Sequence, residues 1–264
     1  MAKLPPPGTE FMTLNSQSSE LETLLRAAVA GKAAGATDLD HMDGAAAAFT
    51  YVRVADFVGS YYRAGRIRPP VLDWGCGYGQ VSWLLQHRGV EVVSFDIAKR
   101  PAREVMLPLS SINIEYSADA VRLPYPSSLF GAVLSVGVLE HVADIDFSLR
   151  EVNRVLQAGG ALFVFMFPNR YSWAEWIADR RHISAHPNKF TFRQATRLLH
   201  ERGFEVEKRW RRNFLPRNLT GLSPRSKAFY GGCYRQIEAL DRVLANWPPT
   251  ALFSGVLELV ARKR

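Results

Sequence analysis

Cysteine is scarce in this sequence. Only Cys76 and Cys233 occur, far apart in the chain, and neither belongs to a CxxC pair or a Cys/His cluster. A disulfide framework is therefore not expected, and no metal site is predicted. The composition fits a reducing cytoplasm, which is the location that we predict.

Long apolar runs are also absent. A membrane-spanning helix needs about 18 or more consecutive apolar residues, whereas the longest apolar run here, Ala161 to Phe167, suits a buried strand. The N-terminal residues 1–11, MAKLPPPGTEF, lack the layout of a secretion signal. They are predicted to be a vector-derived remnant, with Met12 as the natural start.

Basic residues outnumber acidic ones, 33 to 25, which gives a formal net charge of +8. Such a balance can indicate nucleic acid, an anionic membrane surface or an acidic substrate as a partner. The basic residues do not form tracts with interleaved aromatic residues, so nucleic acid is not predicted. The ordinary interpretation is a basic soluble protein, and an oligomeric state is not indicated.

Residues 12–68 are predicted to form a helical cap. Ser19–Glu22 resembles a capping box that opens a helix, and the small residues from Gly31 to Ala48 indicate a flexible connector. An amphipathic helix is predicted from Phe49 to Arg63, where apolar side chains recur at helical spacing.

From residue 69 onward, short apolar runs alternate with helical patterns, which predicts βαβ units and a largely parallel sheet. Residues 213–250 form an insertion too long for a hairpin loop, predicted to be a lid with one helix from Ser226 to Asn246. Helices are predicted at Gln80–His87, at Phe147–Leu156 and, from a capping box at Thr191, to about Arg202. The predicted strands are Val71–Trp74, Val90–Phe95, Ile112–Tyr116, Ala132–Val136, Ala161–Phe167, Phe204–Trp210 and Gly255–Ala261.

A glycine turn follows the first strand. Gly75, Gly77 and Gly79 alternate, which permits positive φ and lets a ligand approach the bare backbone. A dinucleotide site prefers G-x-G-x-x-G, but Gln80 occupies the place of the third glycine. The spacing suits a nucleoside with an amino-acid tail.

Three acidic residues follow successive strands. Asp73 precedes the turn, where a carboxylate would repel a pyrophosphate but could accept from an ammonium group. Asp96 ends the second strand and could accept from two ribose hydroxyls. Asp119 could accept from an adenine amino group, or it could be an ordinary turn or helix-capping residue.

Several segments together resemble the class I S-adenosylmethionine (SAM)-dependent methyltransferases, particularly the ubiquinone- and menaquinone-biosynthesis-like, type 11 group. They are VLDWGCGYG, Asp96, Asp119-Ala120, LPYPSSLFGAVLSVGVLEHV and REVNRVLQAGGALFVF. The resemblance implies an α/β fold, with a Rossmann-like, mostly parallel sheet of seven strands and helices on both faces. It also implies transfer of a methyl group from SAM to a small-molecule acceptor.

The resemblance assigns cofactor-binding roles residue by residue. Arg53 would hold the SAM carboxylate, in competition with Arg63, Arg66 and Arg68. Gly131 and Gly137 depart from the acidic or polar residues common in relatives, which leaves the acceptor side less defined. The implied cofactor contacts are Asp73, Gly75, Gly77 and Gly79 at methionine and ribose, Asp96 at ribose, Ile97, Asp119 and Ala120 at adenine, and Val136, Gly137 and Leu139 beneath the cofactor.

A hydroxyl acceptor usually needs a base, and His141 is the leading choice by position. Its alternative role is to order the loop. His182 and His186 follow the fifth strand and are interpreted as surface or structural residues.

Aromatic and basic residues complete the predicted acceptor side. The aromatic group could form an acceptor wall or pack within a helix. The basic cluster before the insertion could seat a lipid-like or acidic acceptor near a membrane surface, or it could be a solvated edge. These residues are Tyr171, Trp173 and Trp176, followed by Lys208, Arg209, Arg211, Arg212 and Arg217.

Two rival functions remain open from the sequence. One is a SAM-binding regulatory or scaffold protein without transferase activity, and the other is a nicotinamide-dependent oxidoreductase on the same sheet. The residues after Asn169 do not distinguish quinone-like, sugar or lipid, and secondary-metabolite acceptors, or oxygen from nitrogen and carbon as the methylated atom.

Overall fold

A seven-stranded sheet forms the centre of the protein. The computed structural model describes residues 14–42, 44–119, 122–182, 186, 188–217, 219 and 223–264. The strand order is β3-β2-β1-β4-β5-β7-β6, with β7 antiparallel to both neighbours and the other pairs parallel. The predicted Rossmann-like sheet is confirmed. The strands are β1 (Val71–Trp74), β2 (Val92–Asp96), β3 (Ile114–Tyr116), β4 (Phe130–Val136), β5 (Leu156–Pro168), β6 (Phe204–Arg212) and β7 (Val256–Lys263).

Helices cover both faces of the sheet. Successive side chains of a strand point to opposite faces, so Leu134 of β4 belongs to one core cluster and Val133 to the other. The first cluster includes α1, α2 and α3, and the second includes α4 and α6. The helices described are α1 (Leu14–Ala33), α2 (Ala45–Arg63), α3 (Gln80–Gln86), α4 (Ile145–Val155), α5 (Trp173–Arg180), α6 (Phe192–Glu201), α7 (Pro224–Gly232), α8 (Tyr234–Leu244) and α9 (Pro248–Ala251).

The N-terminal segment differs from its prediction. Ser19 lies inside α1 rather than at its start, because the helix already begins at Leu14. The predicted connector, Gly31 to Ala48, is shorter than expected: α1 continues to Ala33, and α2 begins at Ala45. Alanine is the strongest helix former, so small residues here extend helices. The predicted remnant at residues 1–11 and Met12 lie outside the described residues.

A buried arginine joins these two helices to α3. Arg88, just after α3, donates to Glu20 of α1 and to Asp56 of α2, with N–O distances of 2.9 and 2.7 Å. Its side chain is almost fully buried. Removing one partner of such a group leaves an uncompensated buried charge, so the ion pairs fix how the N-terminal helices lie on the sheet domain.

The insertion contains two main helices instead of the single one predicted. Cys233 separates α7 from α8, directly after two glycines that weaken a helix. Arg212 and Arg217 are predicted as part of a basic edge, but Arg212 is buried, Arg217 is half-buried, and both pair with Glu238 of α8. The Arg212 pair joins the insertion to β6, and Arg217, which also pairs with Asp241, holds the insertion together internally.

Two smaller predictions concern helix α6 and the membrane. Thr191 accepts from the backbone N–H of Gln194, whose side chain accepts in return, so the predicted capping box is confirmed. Among the residues that the structure describes, no helix combines the length and apolar character needed to cross a bilayer.

Candidate cofactor and acceptor site

The glycine turn between β1 and α3 has the conformation that its sequence predicts. Gly75, Gly77 and Gly79 have φ values of +70°, +62° and +86°, where residues with a Cβ are strained. A Cβ on Gly75 would lie only 2.6 Å from a methyl carbon of Val138, in the loop after β4. The turn therefore packs its bare backbone directly against that loop.

Asp73 lies buried at the end of β1, with 1% of its surface exposed. Ser82 of α3 donates a 2.7 Å hydrogen bond to it and accepts one from Ser94 of β2. Burial, opposed by the Ser82 hydrogen bond and reinforced by repulsion from Asp96, raises the pKa of the Asp73 carboxyl to about 6. The two serines link Asp73 to β2, two positions before Asp96.

Asp96 ends β2 on the other side of the turn and is 4% exposed. Its Oδ2 accepts from the Gly77 backbone N–H at 2.7 Å and from Arg100 at 3.2 Å, and its Oδ1 accepts from the Ala98 N–H at 3.2 Å. The Asp96 side chain thus fixes the glycine turn through the backbone N–H of Gly77.

An N-terminal segment lies beside this turn. The hydroxyl of Tyr78, within the turn, donates to Asp38, and Arg100 Nε donates to Asp38 at 3.3 Å. The ring of His41 stacks on Tyr78, with centroids 6.5 Å apart, and meets Tyr51 of α2 edge-on at 5.9 Å. Arg100 therefore connects Asp96 to the N-terminal segment.

The other predicted cofactor residues occupy varied positions. Ile97 is 52% exposed, as a residue stacking on an added ring would be. Asp119 is exposed and accepts from the Arg122 N–H at 2.9 Å, which is the turn geometry considered as its alternative. Gly137 has a φ of +70°. Ala120 lies outside the described residues.

Two predicted residues beneath the cofactor have core contacts. Val136 packs against the first core cluster. Leu139 is 2% exposed and belongs to the second cluster, together with Leu149 and Val164. Its side chain contributes to the core, so its predicted contact with SAM would be made by backbone.

Arg53, predicted to hold the SAM carboxylate, has another partner. Its two terminal nitrogens donate to both oxygens of Glu258 on β7, at 2.9 and 2.6 Å. Glu258 is fully buried, and its charge raises the pKa of Arg53 despite burial. This bidentate pair uses the donors that the cofactor would need, so we omit Arg53 from the site proposed below.

The residues after β4 form a cluster with a later segment. Glu140 is 2% exposed, and burial raises its pKa to about 7. The exposed His141 lies against His186, with ring centroids 5.4 Å apart, and partial burial lowers the pKa of His141. His186 Nδ1 lies 2.9 Å from Glu175 Oε1, and this hydrogen bond raises the pKa of His186. His182 is on the surface.

The predicted aromatic wall is only partly enclosed. Tyr171 and Trp176 are 51% and 56% exposed, and Arg180 stacks on Trp176 at 4.1 Å. Trp173 donates from its ring to the Phe214 carbonyl at 2.8 Å, which ties α5 to the insertion.

The remaining members of the predicted basic cluster lie along β6. The guanidinium groups of Arg209 and Arg211 stack on Phe192 of α6 at 5.5 and 4.5 Å. The ammonium of Lys208 lies 5.5 Å from the centre of the Tyr61 ring on the α2 side. These cations therefore cover aromatic rings on both faces of the strand.

Sequence reasoning missed several residues of this region. Arg100, four positions after Asp96, had a local signal in the spacing of opposite charges. Asp38 and Glu175 had none, because each meets its partner only after distant segments pack together.

Replacing Gly75 with alanine is expected to destabilise the fold more than the same change at Gly89. Both glycines have φ near +70°, which costs alanine about 1–2 kcal/mol. A Cβ at Gly89 meets nothing within 4 Å, whereas at Gly75 it overlaps Val138 and should cost about 1–3 kcal/mol more. Denaturant unfolding of both variants measures the difference, and Val138→Ala should restore part of it. Equal losses would contradict this packing.

Part of the chain is similar to known proteins. Residues 72–164 match the family model described as a methyltransferase domain. The chain is 36% identical over 107 residues to the demethylmenaquinone methyltransferase of Thermus thermophilus, covering 37% of this chain and 47% of that protein. It is 28% identical over 96 residues to the ubiquinone biosynthesis O-methyltransferase of Pelagibacter ubique, covering 36% and 40%.

The fold is similar to that of the 1,6-didemethyltoxoflavin-N1-methyltransferase of Burkholderia thailandensis, whose structure contains 1,6-didemethyltoxoflavin and S-adenosylhomocysteine (SAH). The TM-score is 0.52 at 18% identity, over 100% of this chain and 92% of that one. The chain spans less than half the length of the two curated relatives that it matches. The match of residues 72–164 to the methyltransferase domain model agrees with the resemblance of the signature segments to class I SAM-dependent methyltransferases.

Proposed function

We propose that this chain transfers the methyl group of SAM to a small-molecule acceptor. The observation that carries the proposal is the pair of buried carboxylates, Asp73 and Asp96, on either side of the glycine turn. Two like charges that repel one another in a low-dielectric site favour a cationic ligand between them. SAM carries both an ammonium and a sulfonium, and its ribose supplies hydroxyl donors.

The hydrogen-bonding capacity of Asp96 limits how many ribose hydroxyls of SAM it could bind. A carboxylate has about four acceptor positions, and Asp96 already accepts hydrogen bonds from three N–H groups. One ribose hydroxyl can therefore bind directly, and a second requires Arg100 to turn away. Arg100 is 30% exposed and also bonds to Asp38, so it can move without losing every partner.

SAM supplies an activated methyl group on a good leaving group, so the chain's task is to align the acceptor and exclude water. The glycine turn would hold the amino-acid and ribose parts, and Ile97 would cover the adenine. Asp119 and the backbone at Gly137 and Leu139 remain proposed contacts. The acceptor would lie beside His141, at the carboxyl end of β4, the sheet edge where open α/β folds bind ligands.

The proposed acceptor is a small molecule of the quinone-like, sugar or lipid, or secondary-metabolite classes. The quinone class is supported by the curated relatives, whose names refer to ubiquinone biosynthesis and demethylmenaquinone. Peripheral membrane contact is supported by exposed apolar side chains on the insertion, including Phe229, Val243 and Trp247. A cytoplasmic location stays a prediction.

The purified chain is expected to transfer radiolabelled methyl from SAM to one member of a panel of quinols, glycosides and phenolic metabolites. SAH binding by calorimetry separates the rivals. A regulatory protein would bind SAH without transfer to any acceptor, and an oxidoreductase would prefer NAD. Either result would overturn the proposal.

Asp96→Ala is expected to weaken SAH binding by about 1–3 kcal/mol, or about 5- to 150-fold in Kd. The variant removes acceptors for the ribose hydroxyls and frees the Gly77 N–H. Glu201→Gln, on the exposed end of α6, is the matched control and should bind normally. Unchanged affinity in a folded Asp96 variant would mean that the ribose lies elsewhere.

SAM affinity is expected to fall as the pH is lowered through about 6. The raised pKa of Asp73 means that this carboxyl takes up a proton there, and the neutral acid no longer attracts a cation. Below that pH, Kd should rise by up to about tenfold per pH unit, and above it Kd should level off. Calorimetry from pH 5 to 8 measures the profile. Asp73→Asn should bind weakly without this step, so a step that persists in the variant would exclude Asp73.

A further inference from the structure

Glu140, His141 and His186 bring three metal-binding groups together outside the proposed SAM site. One ligand atom from each lies within 4.8 Å of the others. Glu140 and His141 follow β4, whereas His186 lies beyond α5 in the segment that leads to α6. Two imidazoles and one carboxylate form a common donor set for zinc and for other divalent transition metals.

The carboxylate of Glu140 is the member that most needs a cation. It is 2% exposed and forms no ion pair with any lysine or arginine among the described residues. Burying an unpaired carboxylate is costly, and His141 and His186 bring ligand atoms within 4.8 Å of it that can bind the same ion.

His186 is oriented as metal-bound histidines usually are. Its Nδ1 is held by Glu175 Oε1 at 2.9 Å, which leaves Nε2 to face a ligand. Glu175 is fixed in turn by Lys189 at 3.1 Å. Metal-binding histidines typically donate the N–H of their second ring nitrogen to a carboxylate in this way.

A backbone contact also holds the two segments together. The side chain of Asn188 donates to the Glu140 carbonyl at 3.1 Å. Because Asn188 is two positions after His186, this bond keeps His186 beside the end of β4. The position of the third ligand is therefore supported independently of the imidazole itself.

We propose that Glu140, His141 and His186 bind one divalent transition-metal ion, for which Zn²⁺ is the best match to the donor set. His141 is exposed, so the ion keeps open coordination positions toward the solvent side of the sheet edge. An oxygen of an acceptor could occupy such a position. The binding site itself does not depend on methyl transfer.

The test uses the untagged full chain, stripped with a chelator and titrated with Zn²⁺ by calorimetry and with Co²⁺ by visible absorption. We expect one ion per chain and Co²⁺ d–d bands of a four- or five-coordinate site. His186→Ala and Glu140→Gln should each weaken Zn²⁺ binding at least tenfold, and Glu175→Gln about tenfold or more through the second nitrogen of His186. His200→Ala, on the exposed face of α6, should bind Zn²⁺ as the parent does.

Circular dichroism confirms that each variant is folded, and the partly exposed His186 gives the variant least disruptive to the core. Absence of saturable Zn²⁺ binding by the parent would overturn the proposal, as would binding that His186→Ala leaves unchanged. SAH calorimetry on the same samples keeps the two proposals separate: the metal site can fail while SAH binds, and SAH binding can fail while the metal site holds.

Discussion

The burial of two carboxyl groups, Asp73 and Asp96, beside one glycine turn constrains the centre of this molecule. Asp73 is the penultimate residue of β1 and is in register with Ser94, two positions before Asp96 at the end of the neighbouring parallel strand β2, so both carboxyl groups lie toward the same edge of the sheet. The glycine turn separates them and is held by Asp96 through the Gly77 N–H. Ser82 and Ser94 partly compensate Asp73. The remaining electrostatic cost is the part that a cationic ligand can relieve, which links the stability of this region to its proposed occupancy.

The sheet was predictable because its signals are local. Strand β1 has the predicted bounds, since Pro70 precedes it and glycines follow it. The predicted start of β5, at Ala161, was wrong because the strand begins at Leu156 and runs through Gly159 and Gly160, which discourage a strand assignment. The N-terminal connector was misjudged for the opposite reason: small residues were taken as flexible, although Leu39 and Met42 are fully buried. Burial of this kind depends on distant partners and has no periodic signal.

The residues of the site show the same contrast between local signals and contacts with distant segments. The glycines and acidic residues of the proposed cofactor site follow one another in the sequence, so their order and spacing were enough to suggest a ligand class. The acceptor side was not predictable in this way. Glu140 and His141 are adjacent, but His186 joins them only because α5 turns the chain back toward the end of β4. Arg53 shows the converse case: its position relative to the turn suggested a cofactor role, whereas in the structure it pairs with Glu258, near the far end of the sequence.

Arg100 gives the cofactor site a connection to the N-terminal segment. It donates to Asp96 and to Asp38, and Asp38 also accepts from Tyr78 in the glycine turn. If ribose hydroxyls take the Arg100 position on Asp96, Arg100 keeps Asp38 as its remaining carboxylate partner. Because α1 and α2 are fixed to α3 by Arg88, the short segment between the two helices is the part of the N-terminal region best placed to respond.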